Sequence, residues 1–374
     1  MTKIKILFVI GTLGVGGKER QLCELIKAIN KDKYQIYLVL KAGSTENIER
    51  LKDHVEDFYF IKSGKIQPGI LIDIRRVIHS IRPHIIHSWD ETFSFLLILL
   101  LKLSGSSVPL IDGSLRLAYF KKGTINLYGL TRKSINYLAD YLVANSKAGL
   151  KEFHAPKNKS SVIYNGFDFN RLRKLEDPSR LIKQLNIQSS FIVGMAARFH
   201  EHKDHKTFLD AAIKVLDQNV DITFILLGDG SLLKEMQNRV PNRFKESILF
   251  LGNKNDVESY MNICDIGVLT TNSDAHSEGI PNTIMEFMSL SKPVIVTDSG
   301  GVQELVHDGV NGFLISPKSS EELTKNIVKL LHDRNMMNIM GKNAKKRIEN
   351  VFNILGMAES YDSLYKKIFY KNIQ

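Results

Sequence analysis

Two carboxylates stand eight positions apart in the segment Glu278-Gly279-Ile280-Pro281-Asn282-Thr283-Ile284-Met285-Glu286. Proline is tolerated in a first helical turn because its missing N–H would be unpaired there anyway, so Pro281 is predicted to open a helix. That start leaves Glu278 on the preceding loop and carries Glu286 about two turns into the helix. Backbone N–H groups between Gly279 and Asn282 would then face a ligand with the positive end of the helix dipole behind them, a seat suited to a diphosphate. Glu278 is placed for sugar hydroxyls and Glu286 for ribose hydroxyls. Two solvated acids on a surface helix would show the same spacing.

Further candidates follow predicted strands. Arg198 comes just after the strand 191–196, and Lys203 begins the next helix. A planar guanidinium fork and a mobile ammonium at one strand end can neutralise a departing diphosphate as its charge builds. Gly228-Asp229-Gly230 closes the next strand with a turn that lets backbone approach a nucleobase. Asn253 and Lys254 after Gly252 offer polar contacts at the same edge. No Asp-x-Asp occurs anywhere, so the site is expected to work without metal or cofactor.

The elements that must hold these groups alternate regularly. Strands are predicted at 5–10, 36–40, 58–61, 84–88, 108–111, 141–144 and 161–164. A second series follows at 191–196, 221–227, 248–251, 266–270, 293–297 and 313–315, and helical stretches separate most of them. This is the pattern of parallel sheets built twice over, an α/β chain of two Rossmann-like, doubly wound domains facing a central cleft. The turn dipeptide Asn165-Gly166 and the polar run Arg171 to Leu181 place the hinge at about 165–185. The expected domains are 1–165 and 166–351, with a C-terminal helix, 352–374, bracing the first.

A chain of 374 residues, 43% hydrophobic and 24% charged, is an ordinary globular sequence long enough for two cores. Its net charge of +11 is unevenly spread: residues 1–165 hold 25 Lys/Arg against 14 Asp/Glu, and the remainder holds 26 of each. A basic half fits nucleic acid or an anionic membrane surface. No nucleic-acid recognition motif accompanies it, so peripheral membrane contact is the expectation, with Arg75-Arg76, Lys121-Lys122 and Arg132-Lys133 as candidate head-group contacts. The apolar run from Phe93 to Leu101 is closed by Lys102, far short of the roughly 20 residues of a spanning helix, and is expected to pack on a sheet. Cys23 and Cys264 lack metal-ligand spacing and read as reduced core thiols. With no export signal visible, a cytoplasmic location is expected, at the inner face of the plasma membrane if membrane contact occurs.

Gly11-Thr12-Leu13-Gly14-Val15-Gly16-Gly17 follows the first strand and opens a helix, as a dinucleotide loop would. The spacing fails: counted from Gly14, Glu19 occupies the third glycine position, and Val39-Leu40-Lys41 provides no acid to hold a ribose. NAD is therefore not expected. Gly16 and Gly17 remain as places where the backbone can approach another molecule closely.

Taken in order, Arg198 with Lys203, Gly228-Asp229-Gly230, Glu278 to Glu286, and Ser299-Gly300-Gly301-Val302-Gln303-Glu304 with Asn311-Gly312 resemble the retaining GT-B glycosyltransferases of family four, cell-surface polysaccharide type. The Gly16-Gly17 loop and Asn165-Gly166-Phe167-Asp168 extend the resemblance over both domains. It implies that Arg198 and Lys203 hold a diphosphate and that Glu278 meets the donor sugar and Glu286 its ribose; a nucleotide-diphosphate sugar is the expected donor, a UDP-sugar first, with GDP- and ADP-sugars left open. The implied acceptor is lipid-linked or an oligosaccharide, in capsule, O-antigen or exopolysaccharide assembly. Many members carry a histidine at the end of a first-domain strand; the corresponding stretch here is Leu110-Ile111-Asp112-Gly113-Ser114-Leu115-Arg116. His87, Asp112 and Arg116 are thus the acceptor-side candidates. Two other classes remain open, a sugar-nucleotide epimerase and a non-catalytic membrane-associated scaffold.

Overall fold

The computed structural model describes residues 3–14, 16–41, 47–61, 68–116, 127–274 and 277–372. Two compact units emerge, one formed by Met1–Gly166 with Ile354–Gln374 and the other by Phe167–Asn353. The basic pair Lys121-Lys122 lies outside the described residues.

The first unit is built on seven parallel strands: β1 (Ile4–Val9), β2 (Tyr34–Lys41), β3 (Asp57–Ile61), β4 (Ile85–Ser88), β5 (Leu110–Leu115), β6 (Tyr141–Ala144) and β7 (Ser160–Val162). Their order is β3-β2-β1-β4-β5-β6-β7. The second has six, β8 (Phe191–Ala196), β9 (Ile222–Leu227), β10 (Ile248–Gly252), β11 (Ile266–Leu269), β12 (Val294–Thr297) and β13 (Gly312–Ile315), ordered β10-β9-β8-β11-β12-β13. Strands such as β11, buried along its whole length, read as continuous apolar runs because helices cover both faces of a parallel sheet. Each order reverses once, between β1 and β4 and between β8 and β11. Ligands of open α/β sheets sit beyond the strand ends at such a reversal.

The predicted strands all form, with one informative shift. β5 was expected to stop at Ile111 but runs on through Asp112, Gly113 and Ser114 to Leu115. These three residues resemble a turn only while the Asp112 charge is counted as needing water. Arg132, at 2.6 Å, supplies a buried counter-charge instead, and a register irregularity against β6 absorbs the misfit.

The expected hinge is largely ordered structure of the second unit. Phe169–Lys174 forms a 3₁₀ turn, and the helix Pro178–Gln184 is capped by Asp177, whose carboxylate accepts from the amides of Ser179 and Arg180. The C-terminal helix Ile354–Lys371 belongs to the first unit, where Met357, Tyr361, Leu364, Tyr365 and Ile368 join the core around β1.

The apolar run forms the helix Glu91–Leu103, with Phe93, Leu96, Leu97, Ile98, Leu100 and Leu101 in the core and Leu103 exposed at its end. Among the described residues no helix is long and apolar enough to cross a membrane. Cys23 and Cys264 are free and buried, and burial pushes the Cys23 thiol up to about 12.

Candidate active site

At the reversal of the second sheet, the loop after β8 and the segment after β11 meet. Lys203 bridges Thr271 as an isolated antiparallel pair, and the Asp204 amide donates to the Thr270 carbonyl at 3.1 Å. Glu278 gathers at this seam: its Oε1 accepts from Thr271 Oγ1 at 3.0 Å and from the Lys203 ammonium. Glu278 is 5% exposed, and its carbonyl accepts the Gly301 amide at 2.8 Å, which pins the Ser299-Gly300-Gly301 turn beneath it. The structure therefore unites Lys203 with Glu278, neutralising an acid that burial would otherwise make costly. Arg198 stands apart: its side chain is exposed and makes no hydrogen bond or ion pair with the described residues.

Gly228-Asp229-Gly230 has a clearer task than contact with a base. Gly228 and Gly230 adopt φ of +128° and +154°, and a Cβ on them would lie 2.2 Å from the Ala197 carbonyl oxygen and 2.3 Å from that of Phe199. Only glycine lets the loop pack this closely. In return Phe199 N donates to the Asp229 carbonyl at 3.0 Å, so the turn shapes the loop that carries Arg198. Asp229 and Asn253 are exposed, and Lys254 lies 5.1 Å over the Tyr260 ring.

Pro281 caps the helix Asn282–Ser289 from outside, one residue earlier than a first-turn proline, and its carbonyl accepts from Ile284 and Met285. Gly279, Ile280 and Pro281 are buried while Asn282 is half-buried. Glu286, 2% exposed, points to a partner the sequence reading had assigned to a linker: Arg171 donates to Glu286 Oε1 at 3.0 Å and also engages Glu258. Thr271, Arg171 and Glu258 escaped the sequence reading. Thr271 could have been flagged by its place two residues past the end of β11, and Arg171 by its place just past Asn165-Gly166-Phe167-Asp168.

His205 packs behind the loop, stacked on Phe199 with ring centroids 4.0 Å apart, and desolvation pushes its pKa down to about 4. Beside it, His200, Glu201 and His202 bring three potential metal-ligating atoms within 4.8 Å of one another, a grouping that the expectation of a metal-free site overlooked.

In the first unit the reversal between β1 and β4 is occupied by the chain's own acids. Gly11 donates its amide to Asp90, Lys18 pairs with the same carboxylate, and Glu19 accepts from Thr12 Oγ1 at 3.1 Å. Gly16, which caps the helix Gly17–Ala28, and Gly17 are exposed.

Two acceptor-side candidates need correction. Asp112 is fully buried, with Oδ1 accepting from Ser94 Oγ at 2.5 Å and Oδ2 bound by Arg132, which is itself held by Ser114 and Asn136. It is a closed structural pair, since every charge in it is matched internally. His87 is not available to an acceptor: it is fully buried, with Nδ1 2.8 Å from Tyr365 Oη, and desolvation and Arg116 drive its pKa well down. Arg116 is 8% exposed, lies 3.6 Å over Trp89, and donates to Gly113, Asn165 and Tyr361.

Two parallel-sheet units of this order define the GT-B architecture. Residues 15–171 match the model of Glycosyltransferase Family 4, and residues 178–347 match that of Glycosyl transferases group 1. With both halves accounted for, the chain belongs to the GT-B glycosyltransferases of family four.

Among its relatives is the Escherichia coli UDP-Gal:alpha-D-GlcNAc-diphosphoundecaprenol alpha-1,3-galactosyltransferase, 29% identical over 222 residues. That match covers 58% of this chain and 56% of the relative. Another is the Campylobacter jejuni N,N'-diacetylbacillosaminyl-diphospho-undecaprenol alpha-1,3-N-acetylgalactosaminyltransferase, 29% identical over 51% of this chain and 48% of the relative. The fold is that of Anabaena HepE, solved in complex with UDP and glucose. The TM-score is 0.84 at 23% identity, covering 97% of this chain and 99% of that one.

Proposed function

We propose that this protein is a retaining glycosyltransferase that moves a hexosyl or N-acetylhexosaminyl group from a UDP-sugar to a lipid-linked or saccharide acceptor in cell-surface polysaccharide assembly. The observation that carries it is the pair of buried acids around one helix start, Glu278 held by Lys203 and Thr271, and Glu286 held by Arg171. These are ion pairs whose cations keep an exposed edge, as groups that exchange partners with a ligand should. The relatives named above take UDP-galactose or transfer N-acetylgalactosamine, and their names place the acceptor on diphosphoundecaprenol.

In this reading Arg198 and Lys203 neutralise the diphosphate as the bond from the anomeric carbon to its oxygen breaks, with the helix start at Asn282 adding its dipole. The acceptor oxygen bonds to the same face of the anomeric carbon, and its proton passes to the departing phosphate oxygen. Glu278 orients the sugar hydroxyls and Glu286 those of the ribose. Gly228, Asp229, Gly230, Asn253 and Lys254 border the base, and the first unit holds the acceptor near Gly16, Gly17 and Arg116. The positive charge this requires comes from side chains, so no metal or cofactor is invoked. Activity abolished by a chelator and restored by a divalent ion would shift attention to His200, Glu201 and His202.

A thermal-shift screen against UDP-, GDP- and ADP-sugars tests the donor assignment, since a ligand that binds only the folded state raises its apparent stability. Failure of all three would overturn it. Product anomeric configuration by NMR tests retention. Donor incubated alone should stay unchanged or hydrolyse slowly; epimerised sugar nucleotide would favour the epimerase.

The first unit holds the basic excess, 28 Lys/Arg against 16 Asp/Glu, while the second holds 23 against 24. Its helix Leu127–Leu138 exposes Leu130, Lys133 and Tyr137 along one face. Both features support peripheral contact with an anionic membrane on the inner leaflet, and sedimentation with anionic against neutral vesicles checks it.

A further inference from the structure

We propose that Arg171 is a positioning residue for the ribose-binding carboxylate: with Glu258 it locks Glu286 in the orientation from which it discriminates a ribose from a ribose lacking its hydroxyls. The inference rests on the reading of Glu286 as the ribose contact.

The geometry is specific. One terminal nitrogen of Arg171 reaches Glu286 Oε1 at 3.0 Å and also contacts Glu258 Oε1. The Glu286 and Glu258 side chains are 3% and 9% exposed, so both acids are out of water and the guanidinium between them offsets the cost of burying them. A guanidinium suits this position because its donors are fixed in one plane, and holding it between two acids removes the freedom of the Glu286 side chain before any ligand arrives. A carboxylate has about four acceptor sites, so the contact on Oε1 orients Glu286 without exhausting its capacity for ribose hydroxyls.

Arg171 is itself fixed by backbone. Its guanidinium lies 5.0 Å over the ring of Phe167, which is 1% exposed, and the Phe167 amide donates to the Phe352 carbonyl at 2.7 Å. The ribose contact is thereby tied to the two places where the chain enters and leaves the second unit.

The test measures binding of UDP, GDP and ADP, each beside its 2′,3′-dideoxy form, by calorimetry on the full chain. Wild type, Glu286→Gln, Arg171→Met and Arg171→Lys are compared. The wild type should prefer the hydroxylated form of its nucleotide by about tenfold to a hundredfold, the scale of hydrogen bonds to a charged group. Arg171→Met should cut that preference to about that of Glu286→Gln while leaving affinity for the dideoxy form within about twofold. A general folding defect would instead weaken both ligands together. Should Arg171→Met fail to fold, Arg171→Lys carries the test: a lysine ammonium ends about one bond short of the terminal nitrogen that holds both acids, so at least a severalfold loss of preference is expected.

No binding of any diphosphate, or no preference in the wild type, would overturn the ribose reading itself. A preference erased by Glu286→Gln but kept in full by either Arg171 variant would overturn this inference alone.

Discussion

Each unit buries an acid against a cation, yet the two arrangements are finished differently. In the first, Asp112 and Arg132 are 0% and 3% exposed, and Ser94, Ser114 and Asn136 occupy their remaining polar sites. In the second, Glu278 and Glu286 are equally hidden, but Lys203 and Arg171 keep 22% and 18% of their side chains in water. The first pair is complete as it stands, whereas in the second the cations are reachable from outside. A buried carboxylate is therefore weak evidence for a site until the exposure of its partner is known. The distinction separates Asp112 from Glu278 where residue type alone cannot.

The comparison breaks most visibly at Asp112. Asp112→Ala leaves Arg132 buried without its counter-charge and should cost about 3 to 5 kcal/mol, lowering the melting temperature by roughly 10 °C in circular dichroism. A variant that melts normally but loses transfer would return Asp112 to the active site.

Glu286→Ala should do the reverse, reducing donor-dependent transfer by about 2 to 4 kcal/mol, tens-fold to nearly a thousandfold in kcat/KM, from unpaired ribose hydroxyls. Intact transfer in this variant would remove Glu286 from the ribose contact, whereas no donor-dependent transfer even in the wild type would favour the scaffold reading.

His205 is buried behind Lys203, whose carbonyl lies 3.2 Å from its Nδ1. Its folded pKa of about 4 lies below the ordinary value of 6.5, so between these values the unfolded chain binds the extra proton. The contribution, about 3 kcal/mol, is fully present above pH 6.5 and is lost as the pH falls toward 4. Urea midpoints across this window should fall less steeply with acid in His205→Gln than in the wild type.

Arg198→Ala marks the open extreme. With no partner among the described residues, its loss should leave the melting temperature within about 1 °C and weaken donor diphosphate binding about tenfold. A clear drop in stability would show that Arg198 has a structural role.

The strand pattern was readable because a strand covered on both faces is apolar along nearly all of its length, as Ile266 to Leu269 is. Glu278, Pro281 and Glu286 were readable for a related reason: a proline near a helix start and an acid further along are local matters of backbone geometry. The glycines at 228 and 230 were visible as a turn, though their purpose, the close pass against Ala197 and Phe199, depends on where β9 lies beside β8.

What the sequence by itself determined is the alternation of elements, the two sheets and the segments bearing acids and cations, because periodicity and turn chemistry are short-range. Which acid meets which cation was decided only by the tertiary structure. Arg171 reaches Glu286 across 115 positions, and His87 meets Tyr365 across 278. Such pairings depend on sheet order, and only the fold converts them into burial, pKa and the choice between a closed pair and an open one.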